Sequence, residues 1–172
     1  TIDPRMDVKS IRRAVLESES KIFVVMNVVF EKIASIVNEL NQDLIITVSA
    51  SQSLPFIKRI AMNLKVKTNL PYSDKLVAYN TFLANGKNTT AIEAPYVGDA
   101  VFSIPYTGGT TGFAKGVMIT NDGINSTAFN FIHAGLDYEK GDSFLDIIPV
   151  FTSYGMCCGM HMPLTLGLVL IP

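Results

Sequence analysis

The chain has no surplus of charge of either sign. Its 172 residues carry 14 Lys and Arg against 15 Asp and Glu, a formal net charge of −1. This excludes the basic footprint of a nucleic-acid binder and gives no electrostatic pull toward an anionic membrane. Cysteine and histidine are scarce, limited to Cys157, Cys158, His133 and His161. Neighbouring cysteines rarely bridge because the geometry is strained. They read as a buried free pair in a reducing, cytoplasmic setting. No C-x-x-C or H-x-x-x-H spacing supports a zinc site. Both histidines fall on apolar helical faces and read as core residues, and Met156, Met160 and Met162 read as core packing. No uninterrupted apolar run reaches the ~20 residues of a spanning helix. The most apolar stretch, Met160 to Pro172, is broken by two prolines and a glycine. No secretory signal pattern opens the chain, and there is no internal repeat or low-complexity segment.

What is present suits one core of ordinary domain size, with 48% hydrophobic residues. A charged fraction of 17% and a mean hydropathy of +0.32 are apolar for a free-standing domain. That balance is expected where surface normally packs on neighbouring parts of a longer chain.

The pattern alternates helix and strand. Asp7 is placed to cap a helix over Val8 to Glu17, with Ile11 and Val15 inward. Ile22 to Met26 is a short apolar strand. Phe30, Ile33, Ala34, Val37 and Leu40 recur at helical spacing. Leu44 to Val48 is apolar on both faces, as in a buried parallel sheet. Phe56, Ile57, Ile60, Ala61 and Leu64 suggest a helix. Ser73 is placed to cap another, carrying Leu76, Val77, Phe82 and Leu83 and stopping at Gly86. Asn85 to Gly98 is a polar linker. Asn121 is placed to cap a helix with Ile124, Ala128, Phe131 and Ile132. Phe144 to Ile148 is a strand, Ser153 to Leu164 a helix, and Gly167 to Ile171 a closing strand. This rhythm predicts an α/β fold, a mostly parallel sheet with flanking helices and right-handed crossovers.

The densest signal is Tyr106-Thr107-Gly108-Gly109-Thr110-Thr111-Gly112-Phe113-Ala114-Lys115-Gly116. Apolar, β-favouring runs lead in (Ala100 to Ile104) and out (Val117 to Thr120). Glycines allow close backbone approach, and their N–H groups can form an anion-binding nest. Thr107, Thr110 and Thr111 add hydroxyls, and Lys115 adds a mobile positive charge. On composition alone, a plain glycine- and threonine-rich turn remains the alternative. The lysine precedes Gly116 and a strand follows, so the order is not that of a P-loop. There is no G-x-G-x-x-G fingerprint either.

These residues resemble the phosphate-binding loop of the adenylate-forming (ANL) enzymes, the AMP-binding superfamily of acyl-CoA synthetases, luciferase and peptide-synthetase adenylation domains. That loop reads [ST]-[SG]-G-T-T-G-x-P-K-G. The match covers Thr107, Gly108, Gly109, Thr110, Thr111, Gly112, Lys115 and Gly116, with Ala114 in place of the proline. Val117 to Asn121 resembles V-x-L-T-H with Asn121 for histidine. Ile148 to Gly155 resembles P-L-F-H-x-Y-G with Thr152 for histidine. Pro163 to Gly167 and Val169 to Pro172 resemble the next strand of that region, so the likeness runs along nearly the whole chain.

The resemblance implies a partial large N-terminal domain, residues 1–172, of an acyl-CoA synthetase-like fold. The mobile C-terminal domain, the Y-G-x-T-E and T-G-D segments and the adenylation lysine are expected elsewhere in a longer parent, and the isolated chain is expected to be inactive. The implied parent is an AMP-forming acid–thiol ligase of fatty-acid–CoA ligase type. Its implied partners are ATP, a carboxylic acid and coenzyme A, with the rest of its own chain and no nucleic acid. Magnesium is implied too, held from other regions, with no metal ligand here. Thr107, Gly108, Gly109, Thr110, Thr111, Gly112 and Lys115 are the implied phosphate site, and Thr152, Tyr154 and Gly155 the implied substrate-proximal residues. A carrier-protein-loading adenylation domain and an inactive nucleotide-binding homologue stay open.

Overall fold

The computed structural model describes residues 1–52, 54–55, 57–60, 74–107 and 114–171. They fall into two compact units, Met6–Glu93 and Thr1–Arg5 with Ala94–Pro172. The division lies inside the polar stretch read as a linker.

The unit Met6–Glu93 is built on a parallel sheet in the order β1-β2-β3, with β1 Ile22–Met26, β2 Leu44–Val48 and β3 Leu76–Ala78. Ile22 pairs with Leu44 and Met26 with Val48; Ile45 pairs with Leu76 and Thr47 with Ala78. The central strand has Ile45, Ile46 and Thr47 buried, as its two-sided apolar sequence requires. Helix α1 (Val8–Glu17) contributes Ile11, Ala14 and Val15 to the core, and α2 (Asn27–Ile33) contributes Phe30 and Ile33. Burying each large side chain of this kind stabilises by about 1.5–3 kcal/mol.

The run from Phe30 to Leu40 is one face but not one helix. α2 ends at Ile33, and a 3-10 turn follows at Val37–Glu39. Ser35, Ile36, Val37 and Asn38 are all weak helix formers, yet Ile36, Val37 and Leu40 still reach the core. Leu76 and Val77 are not helical either. Hydrogen-bonded pairing with buried β2 draws them into a strand, which suits Val77, and helix α3 begins only at Tyr79 and ends at Gly86. Residues 57–60 are helical. Phe56, Ala61, Leu64 and the Ser73 cap lie outside the described residues.

The second unit carries two two-stranded sheets among its described residues. β4 (Val101–Ser103) pairs antiparallel with β5 (Ile119–Thr120), and β6 (Ser143–Leu145) pairs parallel with β7 (Val169–Ile171). Helix α4 (Asn121–Ile132) follows β5 directly. The crossover from β6 to β7 contains a π-helix, Gly155–His161, that runs into α5 (Met162–Leu166). Ala128, Met162 and Leu168 form a buried cluster, with Phe131, Tyr138, Phe144 and Leu166 against it. Among the described residues, no helix is long and apolar enough to cross a membrane.

Three site-level expectations change. The cap of α4 is Thr120, whose Oγ1 accepts from Gly123 N at 3.1 Å. Asn121 is already helical, and its side chain donates to the Val97 carbonyl at 2.8 Å. His133 is exposed, at the C-terminal end of α4, with Nδ1 2.9 Å from the Phe129 carbonyl. His161 is half-buried rather than core. Both histidines use a polar nitrogen locally, which an apolar core would leave unpaired. Of the cysteines, Cys158 is buried and Cys157 half-buried, and both are free. Burial pushes both thiols up.

The cap of α1 agrees with its sequence signal. Asp7 accepts from Ser10 N at 3.0 Å and from Ser10 Oγ at 2.6 Å, and these bonds hold its carboxyl below the ordinary value. A carboxyl depressed by folding contributes stability above its unfolded value and loses it as pH falls through the folded one. Asp7→Ala is therefore expected to lower the melting temperature at neutral pH, with the deficit shrinking as the pH drops into the acid range. A deficit independent of pH, in parallel thermal melts, would count against the charged cap.

Candidate functional site

The glycine-rich motif sits on a hairpin. Its neck is closed by backbone bonds from Thr107 N to Lys115 O at 3.0 Å and from Val117 N to Pro105 O at 3.0 Å. Tyr106 and Gly116 form an isolated antiparallel bridge between them. The expected strands are present on both sides of the motif, with β4 and β5 shorter than the sequence runs. Gly108, Gly109, Thr110, Thr111 and Gly112 lie outside the described residues. Thr107 and Lys115 flank them, both exposed, with Thr107 Oγ1 3.4 Å from the Lys115 carbonyl.

Gly116 is required by space. A Cβ there would fall 2.8 Å from Ile104 Cγ2 and 3.3 Å from the Tyr106 ring. The glycine after the lysine lets that ring lie across the neck. Gly98 is tight for a related reason, since a Cβ would run into the Asp122 carboxylate. Residues 97–100 wrap the start of α4, with Asn121 N bonded to Ala100 O and Asp122 N to Gly98 O, both at 3.0 Å.

The second candidate segment is Pro149–Gly155. Thr152 Oγ1 donates to the Pro149 carbonyl at 2.8 Å and accepts from Gly155 N at 3.0 Å. Its single hydroxyl hydrogen is committed to this turn. It caps the entry into the π-helix and has no hydrogen left for a carboxylate ligand. Tyr154 is exposed and Gly155 buried. The Phe151 ring is covered by the Arg5 guanidinium, 5.5 Å from its centroid, a cation–π arrangement. Further along, Asp146 Oδ1 accepts from Ile148 N at 3.1 Å. The same carboxylate lies against Gly159, where a Cβ would meet Oδ1 at 2.6 Å. π-Helical turns are rare and cluster at functional sites.

A set of polar residues that sequence reasoning missed lies between these segments. Tyr96, Asp122, Asn125 and His161 are hydrogen-bonded in sequence. No motif marks them, because the bonds join residues as many as 36 positions apart. Only the capping composition around Thr120 hinted at local structure. Among the described residues, no group of three or more His, Cys, Asp or Glu could hold a metal ion.

The family model for AMP-binding enzyme matches residues 1–172. The chain belongs to the AMP-binding enzyme family. It is 28% identical over 165 residues to a long-chain-fatty-acid–CoA ligase of Bacillus subtilis, covering 91% of this chain and 29% of that protein. It is 32% identical over 75 residues to 4-coumarate–CoA ligase 1 of Petroselinum crispum, covering 40% of this chain and 14% of that protein. Among solved structures, an anthranilate CoA ligase in complex with anthranoyl-AMP superposes with a TM-score of 0.76 at 17% identity, over 99% of this chain and 30% of that one. A Brucella canis acyl-CoA synthetase gives 0.69 at 18% identity, over 97% and 26%. The fold is that of the acyl-CoA synthetases. The chain spans under a third of the length of these relatives.

The turn at Gly155 gives a direct test of how tightly the second segment is built. A Cβ there would lie 2.7 Å from the Pro149 carbonyl carbon and 2.9 Å from the Ile148 oxygen. These are backbone atoms that cannot swing aside. Gly155→Ala is expected to destabilise by about 1–3 kcal/mol, as overpacking does. Gly86→Ala, where the nearest atom is 3.9 Å away, should leave stability near wild type. Denaturant titration of both variants checks this, and equal effects would mean the turn has slack.

Proposed function

We propose that this chain is part of an AMP-forming acyl-CoA ligase, within its nucleotide-binding large domain. Its parent activates a carboxylic acid with ATP and passes the acyl group to coenzyme A. The observation that carries this reading is the hairpin over Thr107–Gly116, with the family loop sequence on its tip, in a chain matched along its whole length by the AMP-binding family.

In the first half-reaction the acid's carboxylate oxygen attacks the α-phosphorus of ATP. The bond to the bridging oxygen breaks, and pyrophosphate leaves with the electron pair. Positioning and charge stabilisation do most of such catalysis. Gly108, Gly109, Thr110, Thr111 and Gly112 supply N–H and hydroxyl donors to the β- and γ-phosphates, Thr107, whose N–H is bonded to the Lys115 carbonyl, is assigned its hydroxyl alone, and Lys115 supplies positive charge. Tyr154, which is exposed, is assigned to the acid side, and Thr152 and Gly155 hold the turn that carries it. In the second half-reaction the coenzyme A thiol displaces AMP. No step is assigned to magnesium. A reducing, cytoplasmic setting suits the free cysteines. The 172 residues alone are expected to form no acyl-adenylate, since they span under a third of their relatives. Acyl-AMP made by the purified chain from ATP and a panel of acids would contradict this.

Lys115→Ala and Thr110→Ala are expected to slow adenylation more than thioester formation. Negative charge builds on pyrophosphate only in the first half-reaction. Losing one donor at a water-excluded site costs on the order of 2–4 kcal/mol, and Lys115, which is exposed, should sit at or below the low end. Single-turnover kinetics on the intact protein, from ATP and from supplied acyl-AMP, separates the halves. Equal losses in both would show that the loop supports the fold and not the phosphates.

A further inference from the structure

The four polar side chains between helix α4 and the π-helix run in one direction. Asp122 is a carboxylate and accepts only, so Tyr96 Oη must donate to it, at 2.7 Å. Tyr96 then has only acceptor capacity left for Asn125, which must present Nδ2, at 3.1 Å. That turns Asn125 Oδ1 toward His161, and the ring must carry its hydrogen on Nε2, 3.0 Å away. Each link fixes the next, and the carboxylate at the end polarises the file. The Asp122 bond also holds the Tyr96 phenol above its ordinary value, which keeps the hydrogen in place.

The file ties both strands of the phosphate hairpin to the π-helix. β5 continues straight into α4, which carries Asn125. The ring of Phe102, on β4, lies 6.1 Å from the His161 ring at 54°. His161 is the last π-helical residue, and the segment with Tyr154 feeds the same helix at its start.

We propose that His161 and Asn125 are positioning residues for adenylation, holding the Phe151–Gly155 segment in register with the phosphate hairpin. The proposal rests on the ligase reading above. Neither residue is assigned a contact with substrate. Each half of the site binds its own substrate without them, and only the alignment of the two suffers when they are lost. Their signature is therefore a lower rate at unchanged affinity.

The test compares His161→Phe, which keeps a ring without the donor, with His161→Gln, which keeps a donor without the ring, and with Asn125→Ala. The intact protein is assayed for single-turnover acyl-adenylate formation and for KM of ATP and acid. His161→Phe and Asn125→Ala should lower the rate about tenfold, less than the ~10²-fold that a full 1 Å misplacement can produce. Both KM values should stay within about twofold, and His161→Gln should stay near wild type. Equal losses in Phe and Gln variants, a raised KM at unchanged rate, or no change would each overturn the proposal. Amide hydrogen exchange supplies a readout free of chemistry. In His161→Phe, residues 101–103 and 155–161 should both exchange faster than in wild type and His161→Gln. Unchanged exchange, or a rise across the whole chain that marks a purely structural role, overturns the pairing. A wild-type protein that forms no acyl-adenylate would sink the ligase reading instead, and the exchange comparison would still decide the coupling.

Discussion

The pairing that closes the hairpin neck is the constraint on which the site depends. The glycine- and threonine-rich segment begins and ends at fixed points. The two 3.0 Å backbone bonds around the Tyr106–Gly116 bridge set them. They hold Thr107 and Lys115 opposite one another. Gly116 allows the closure because Ile104 and Tyr106 occupy the space a side chain would need. Gly116 thus serves packing. The motif's lysine–glycine order, which separates it from a P-loop, follows from this geometry: an antiparallel strand must leave where a P-loop would start a helix.

Charge placement agrees with the neck. From Val101 to Asn121 there is no Asp or Glu, and Lys115 is the one charged side chain. Asp99 and Asp122 bracket the segment from outside. Asp122 is turned away into its bond with Tyr96 and into the first turn of α4, where a carboxylate also favours the helix dipole. The nearby Asp122 carboxylate is already engaged by Tyr96. A net charge of −1 over the whole chain hides this local asymmetry.

Much of the fold was legible because local and tertiary preferences coincide. Asp7 caps α1 where predicted, Ile11 and Val15 turn inward, and β1 and β2 fall on their apolar runs. The readings that failed did so where tertiary demands won. Leu76 and Val77 fit a helical spacing with Phe82 and Leu83, but parallel pairing with β2 claims them as strand. Thr120 and Asn121 are both good caps, and the choice between them rests on the Val97 carbonyl, which takes the Asn121 amide. The histidines were misread because an apolar helical context says nothing about an unpaired ring nitrogen and its partner. His161 finds that partner in Asn125.

Thr152 shows why a substituted motif can keep its architecture and change its chemistry. The sequence places threonine where the family has an imidazole. A hydroxyl on a short side chain can reach both the Pro149 carbonyl and the Gly155 amide, and it does so. The turn is thereby fastened at the point where Gly155 passes against backbone that allows no Cβ. The same commitment removes Thr152 as a donor to a substrate. Orientation of the segment then falls to what holds the far end of the π-helix. In the alignment proposed above that is His161, through a neutral amide and a phenol to a carboxylate on the helix that follows the hairpin. Two segments that sequence motifs treat as separate are thus joined by residues belonging to neither motif.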